Sequence, residues 1–155
     1  TSNSSLSLIW ENYGLGFNQM SFKTTSSNKN TPSKNDVYEM KNSSLDLSYT
    51  LDLSYIIDWT VTAGVGYVYG GKGAITFADS ARKYETESVS GFGLFGLLGI
   101  VWEGLEGLIG ARYYSTNYTE FKSTNTSEVY TLGKPYSIGG AQLIFGLGYN
   151  FQWKL

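Results

Sequence analysis

Few charged residues are placed where they could do chemistry. Of the 24 charges in this 155-residue chain, sixteen fall in or beside three polar stretches, at residues 23–41, 72–87 and 120–134. Five more, Glu11, Asp58, Glu103, Glu106 and Lys154, flank short turns or the carboxyl end, which leaves Asp46, Asp52 and Arg112 inside segments of regular apolar patterning. A pair of carboxylates could divide general-acid and general-base work. On an extended strand, however, the step from Asp46 to Asp52 covers about 20 Å, too far to share a proton or a water. Opposite charges in a narrow interior are stable when paired, so Asp46, Asp52 and Arg112 are expected to supply a structural ion pair. The geometry admits Asp52 and Arg112 as partners, since each stands a few residues from a tight turn. Gly91-Phe92-Gly93-Leu94-Phe95-Gly96 matches the dinucleotide fingerprint G-x-G-x-x-G, but the helix it requires would have to run through Gly96, Gly99, Gly104 and Gly107. That segment reads as a glycine-rich strand, with no cofactor. The chain has no His and no Cys. This removes Ser-His and Cys-His nucleophiles and every His- or Cys-ligated metal, so neither catalytic nor metal residues are assigned and no enzyme is expected. Four Asn-x-Ser/Thr sequons, at Asn3, Asn42, Asn117 and Asn125, are chance matches in a chain this rich in Asn, Ser and Thr.

The elements that position these residues follow a period of two. Ala141, Leu143, Phe145, Leu147, Tyr149, Phe151 and Trp153 alternate with small or polar residues, as do Leu45 through Tyr55 and Trp59 through Tyr69. Residues 13–22, 88–102 and 107–121 alternate less cleanly, and a shift of phase near Glu11 and Asn12 marks a turn or a bulge. Short connections at residues 56–58 and 103–106 alternate with long polar ones at 24–37, 70–87 and 122–135. Six long segments joined in this way predict a single all-β domain over residues 1–155, an antiparallel up-and-down β-barrel with tight turns and both termini at one end and long loops at the other. No run of eighteen apolar residues exists, the first residues lack a signal-peptide pattern, and the amino end reads as a mature or processed start. A net charge of −2 with eleven basic residues leaves no footprint for nucleic acid.

Two solvents compete for the apolar face. A soluble lipocalin-like carrier turns it inward, whereas a membrane barrel turns it to lipid and keeps a polar interior. Twelve of the nineteen glycines fall in the phase opposite the apolar residues, where a water-facing sheet would carry Lys, Glu and Thr. Trp10, Trp59, Trp102 and Trp153 all adjoin a tight turn or a terminus, and Tyr67, Tyr69, Phe92, Tyr113 and Tyr118 lie nearer the loop end. Two aromatic levels around an aliphatic band are what interfacial girdles look like. The ten steps from Trp59 to Tyr69, tilted by roughly 40°, rise about 25 Å, the height of such a band.

With these features the chain resembles the small bacterial outer-membrane barrels of the OmpA/OmpX type. The ending Gly146-Leu147-Gly148-Tyr149-Asn150-Phe151-Gln152-Trp153 is similar to the carboxyl-terminal signal those proteins present to the barrel-assembly machinery, although Lys154 and Leu155 follow it here. The resemblance implies eight transmembrane strands, a location in the outer membrane, and the lipid bilayer and the assembly machinery as partners. It also implies a structural or surface-interaction role exercised on an extracellular partner through the loops. A second expectation is a narrow channel for small apolar molecules with Phe95, Leu97 and Ile144 as its constriction. The third is the soluble ligand carrier.

Overall fold

The computed structural model of the chain describes residues 2–27, 34–53, 58–78, 82–124 and 135–149. Nine strands are found there and no helix: β1 (Ser2–Trp10), β2 (Tyr13–Ser27), β3 (Asn35–Asp52), β4 (Trp59–Thr76), β5 (Lys83–Thr86), β6 (Ser88–Trp102), β7 (Leu105–Thr119), β8 (Lys122–Ser123) and β9 (Tyr136–Tyr149). Seven of them form one antiparallel meander in the order β1-β2-β3-β4-β6-β7-β9, and the short β5 and β8 attach to it at the loop end. Among the described residues seven long strands stand, one more than the six resolved from the sequence and one fewer than the eight that the resemblance implies. The additional one is β1, whose Ser-rich start hides the alternation of Leu6, Leu8 and Trp10. Because β1 is antiparallel to β2 and the two meet at Trp10 and Tyr13, Ser2 stands at the loop end, and the expectation of both termini at the turn end is corrected.

The sheet is curled. Asp46 on β3 and Arg112 on β7 lie three ladder steps apart, about 14 Å in a flat sheet, yet they form an ion pair. Asn3 on β1 donates to Gln142 Oε1 on β9 at 3.1 Å, although six ladder steps separate those strands. The inner face therefore meets itself, and the outer face is left to the surroundings. Leu15, Leu47, Val65, Leu94, Ile109 and Leu143 are among the many large apolar side chains that remain exposed. The accessible surface, 10816 Å², is well above the about 7,700 Å² expected of a compact folded chain of this mass.

Two of the long polar connections are shorter than their composition suggests. β2 and β3 stay paired out to Ser27 and Asn35, and β4 continues to Thr76 before β5 adds to its edge. Backbone pairing does not depend on side-chain polarity, and Thr-rich stretches suit a pleated ladder. The register between β3 and β4 slips between Ser43 and Ser44, leaving Tyr69 as an extra residue on β4. This bulge switches the inward phase from Val68 to Gly73 and Ile75, all three buried.

At the turn end, two-residue hairpins join Trp10 to Tyr13 and Trp102 to Leu105, so the phase shift near Glu11 is a turn. Glu103 and Gly104 both take positive φ, 50° and 86°, the geometry of a type I′ turn, for which Asn-Gly is the preferred pair. Glu103→Asn is expected to stabilise the sheet by on the order of 0.5–1 kcal/mol by relieving the left-handed conformation of a glutamate. Urea unfolding reads this as a higher midpoint at constant slope.

Candidate functional site

The interior is the only part of the described structure that gathers charged and amide side chains away from solvent. It is layered along the strands. Nearest the loops, Met40, Ile75, Tyr118, Phe121 and Ile138 form a buried apolar cluster, with Tyr38 stacked on Tyr136 beside it at 5.5 Å between ring centroids. Tyr118, expected in the outer aromatic level, instead points inward and is fully buried. It shares the even phase of β7 with Arg112 and Thr116, so the pleat aims it at the core. Its hydroxyl and Thr116 Oγ1 accept from Asn42 Nδ2 at 3.4 and 3.3 Å.

The next layer holds the ion pair. Arg112 Nη2 donates to Asp46 Oδ2, Asp46 Oδ1 accepts from Ser44 Oγ at 3.2 Å, and the two charged side chains are only 6% and 7% exposed. Register explains the choice of partner. Following the ladders from Arg112 through Phe95 and Gly64 leads to Ser48 on β3. Asp46 is two residues from Ser48 on the same face, within reach of a long guanidinium, whereas Asp52 is four residues away in the other direction and is exposed near the end of β3. The structure thus brings Arg112 and Asp46 together and leaves Asp52 outside the interior. A Cβ added at Gly66 would collide with Asp46 Oδ1, so this glycine makes the room the carboxylate occupies. The Arg112 carbon Cζ also lies over the Phe95 ring, 4.8 Å from its centroid, a cation–π contact between cross-strand neighbours. Arg112 Nε has no hydrogen-bond partner among the described residues. The cavity at this layer, lined by Arg112, Asn18, Asn42, Ser44 and Thr116 among others, measures about 10 Å³, space for about one water.

Toward the turn end, Phe95, Leu97 and Ile144 are all half-buried on the inner face, the face on which the sequence places a constriction. Phe95 crosses toward β4, where only a glycine fits: a Cβ at Gly64 would strike its ring. Below it, the Thr50 and Thr62 hydroxyls are 2.7 Å apart, and Thr60 Oγ1 donates to Glu106 Oε1. The outer face carries Trp10, Trp59 and Trp102 at the turn end, each at a strand terminus and 76%, 37% and 74% exposed. Trp153 lies outside the described residues. A broad concavity of about 740 Å³ is lined chiefly by exposed apolar side chains, including Trp59, Leu98, Ile100, Ile109, Phe145 and Leu147.

Beyond the bulge the outer face is charged. Lys23 pairs with Glu39 at 2.5 Å and Lys72 with Glu87 at 2.7 Å. A hydrogen bond and the adjacent ammonium charge hold the Glu39 and Glu87 carboxyls below their ordinary range. What these pairs contribute is present above the ordinary carboxylate pKa and lost as pH falls through the lowered one; being exposed, it is screened by salt.

No His, Cys, Asp and Glu grouping among the described residues could hold a metal. Comparison with known proteins finds no matching family, no matching curated protein and no matching solved structure. The interior therefore has to be judged on its own chemistry. A carboxylate held by a guanidinium at one oxygen and a hydroxyl at the other, in a space of about one water, ties strands together and leaves no room beside it for a substrate. Removing one partner strands a buried charge: Arg112→Leu or Asp46→Leu is expected to cost about 3–5 kcal/mol, while the double substitution costs markedly less than the two added together. A double-mutant cycle on urea midpoints measures the coupling.

Proposed function

We propose that the chain is a small integral outer-membrane β-barrel protein that acts through what it displays at its loop end. One observation carries this reading: both faces of the sheet exchange polarity at the level of the Tyr69 bulge. On the turn side of that level the outer face bears Leu15, Leu45, Leu47, Val65, Leu94 and Ile109, all exposed, while Asn18, Ser44, Asp46, Arg112 and Thr116 are buried inside. On the loop side the outer face bears Lys23, Glu39, Lys41, Lys72 and Glu87, and the large buried side chains are Met40, Ile75, Tyr118 and Phe121, with Asp36, Asn42 and Thr86 beside them. Water accounts for the second arrangement. The first suits an apolar solvent, and the exposed Trp10, Trp59 and Trp102 at one rim and Tyr67, Tyr69 and Phe92 at the other suit its interfaces.

The soluble-carrier reading requires the opposite placement, with the apolar face around a ligand. The channel reading is favoured by the inward Phe95, Leu97 and Ile144 but must contend with the Arg112–Asp46 pair and a cavity of about 10 Å³ above them. In the favoured reading the pair and the aromatic ring fill the interior, and the charged hairpin extensions with β5 and β8 present the surface for an extracellular partner.

Two measurements test this. Trp10, Trp59 and Trp102 fluorescence should be quenched most by lipids brominated near the headgroup, and a protein that stays soluble and unquenched without detergent would exclude the membrane location. Leu47→Arg, in the middle of the outer band, should lower stability in vesicles by about 2–4 kcal/mol. Thr25→Arg, on the loop-end extension, should leave it unchanged.

A further inference from the structure

We propose that the outer face of β3 and β4 at the Tyr69 bulge is a binding site for a phosphate-bearing lipid headgroup, with Lys41 and Lys72 holding the phosphate. An unfavourable contact marks the place. Lys41 on β3 stands directly opposite Lys72 on β4, and side chains so placed share a face with their Cβ atoms about 5 Å apart. Like charges in that position cost stability. Lys72 has Glu87 at 2.7 Å to offset its charge, whereas Lys41 makes no salt bridge among the described residues. An anion seated between the two ammonium groups turns the repulsion into two attractive contacts. The Lys72–Glu87 pair is exposed on both sides, and a pair of that kind contributes too little to hold Lys72 away from a phosphate.

The surface next to the lysines is shaped to receive a headgroup. One pleat toward the turn end, Ser43 pairs with Gly70, and a Cβ added at Gly70 would meet nothing within 4 Å. The wall is low there, floored by a hydroxyl and bare backbone. On its turn side the bulged Tyr69 and Phe17 on β2 set tilted rings 6.2 Å apart. The recess thus has ammonium groups on one side and aromatic rings on the other, the order in which a lipid presents its phosphate and the base of its acyl chains. Lys72 is three residues beyond Tyr69, about 10 Å along the strand. With the rings at the edge of the apolar band, where the membrane reading places them, the lysines stand at headgroup depth.

The sign of the charge differs between the two ends of the band. Among the described residues every exposed charge at the turn end is acidic, on Glu11, Asp52, Asp58 and Glu103. Around the recess, Lys23, Lys41, Lys72, Lys83 and Lys122 outnumber Glu39, Glu85 and Glu87. A phosphate is therefore repelled at the turn end and attracted at the loop end, which assigns the lipid to the leaflet on the loop side. An uncharged lipid leaves the Lys41–Lys72 repulsion as it is, and a free phosphate ion meets the lysines without touching the rings. A headgroup that carries both a phosphate and acyl chains engages both sides of the recess. The depth and the leaflet rest on the membrane reading; the opposed lysines and the low wall do not.

The test titrates the whole chain, in maltoside micelles, with dioctanoyl phosphatidic acid. Amide NMR shifts should centre on Lys41, Ser43, Gly70 and Lys72 and saturate at one lipid per chain. Dioctanoylglycerol, which has the same chains and no phosphate, and inorganic phosphate, which has no chains, should each bind about tenfold more weakly. Lys41→Gln/Lys72→Gln should weaken phosphatidic acid binding by about twentyfold, roughly fivefold for each lysine. Lys41→Arg should retain it, and Lys34→Gln should leave it unchanged. On the unaltered protein, added salt should weaken phosphatidic acid and not diacylglycerol. Diacylglycerol or free phosphate binding as tightly as phosphatidic acid, an undiminished affinity in the double variant, or an affinity indifferent to salt would each overturn the proposal, and the membrane reading stands in those cases as long as the protein needs detergent. Solubility without detergent would overturn the membrane reading and this proposal together.

Discussion

Alternation between two environments is the constraint on which the structure depends. A strand with a period of two must place successive side chains on opposite faces, so a curled sheet has one population inside and another outside and cannot mix them. Here the inside has to receive the polar residues, because the outside positions are taken by Leu, Tyr, Phe and Trp. Once Asp46 and Arg112 are inside, they must meet. Their contact across β3 and β7 closes the curl, and Asn42 with Thr116 and Tyr118 repeats the same connection one layer higher.

The energetics of that contact differ from those of a soluble core. A buried pair gives back in attraction much of what it loses in hydration, so its net contribution is small while the penalty for separating it is large. Such a pair specifies more than it stabilises. A sheet of this kind could curl to several radii with nearly equal apolar exposure, but a single radius brings Arg112 onto Asp46 with Phe95 beneath the guanidinium and Gly64 and Gly66 clearing the space. The glycines in the inner phase are part of the same geometry. They thin the wall where a ring or a carboxylate has to cross.

Much of this was legible in the sequence, and the rest was hidden for definite reasons. The period of two identified β2, β3, β4, β6, β7 and β9, the tight turn at Glu103 and Gly104, and the inward phase of Gly14, Gly16, Gly66 and Gly93, while the short connection expected at 56–58 falls largely outside the described residues. It missed β1, since Ser2 to Ser5 offer no apolar contrast, and it read the paired extensions of β2, β3 and β4 as loops, because hydrogen-bonded polar strands leave no hydropathy signal. It named Arg112 and Asp46 but also Asp52. Alternation says which face a residue occupies; it does not say which residues meet across the interior, a matter of register and stagger accumulated over several ladders. Tyr118 was misplaced for a different reason. Its distance from the turn suggested a girdle, while its phase, even like that of Arg112, assigned it to the core.

The exchange of polarity along the sheet also explains why β3 and β4, at 18 residues each, run well past the exposed apolar band. The part above the bulge builds a second core of ordinary kind, Met40, Ile75, Tyr118, Phe121 and Ile138, beneath a charged surface. An apolar cluster placed there seals the polar interior from the loop side and gives β5 and β8 something to pack on. A bulge is well suited to the boundary. By inserting Tyr69 it reverses which residues of β4 face inward, so one strand serves a polar interior on one side of the boundary and an apolar core on the other without a break in its hydrogen bonding to β3 beyond the single slipped register. The rim that this leaves, with Tyr67 and Tyr69 exposed just below Lys72, sets the upper level of the apolar band, and Trp59 ten residues earlier sets the lower. The strand's own chemistry thus fixes the height of the apolar band.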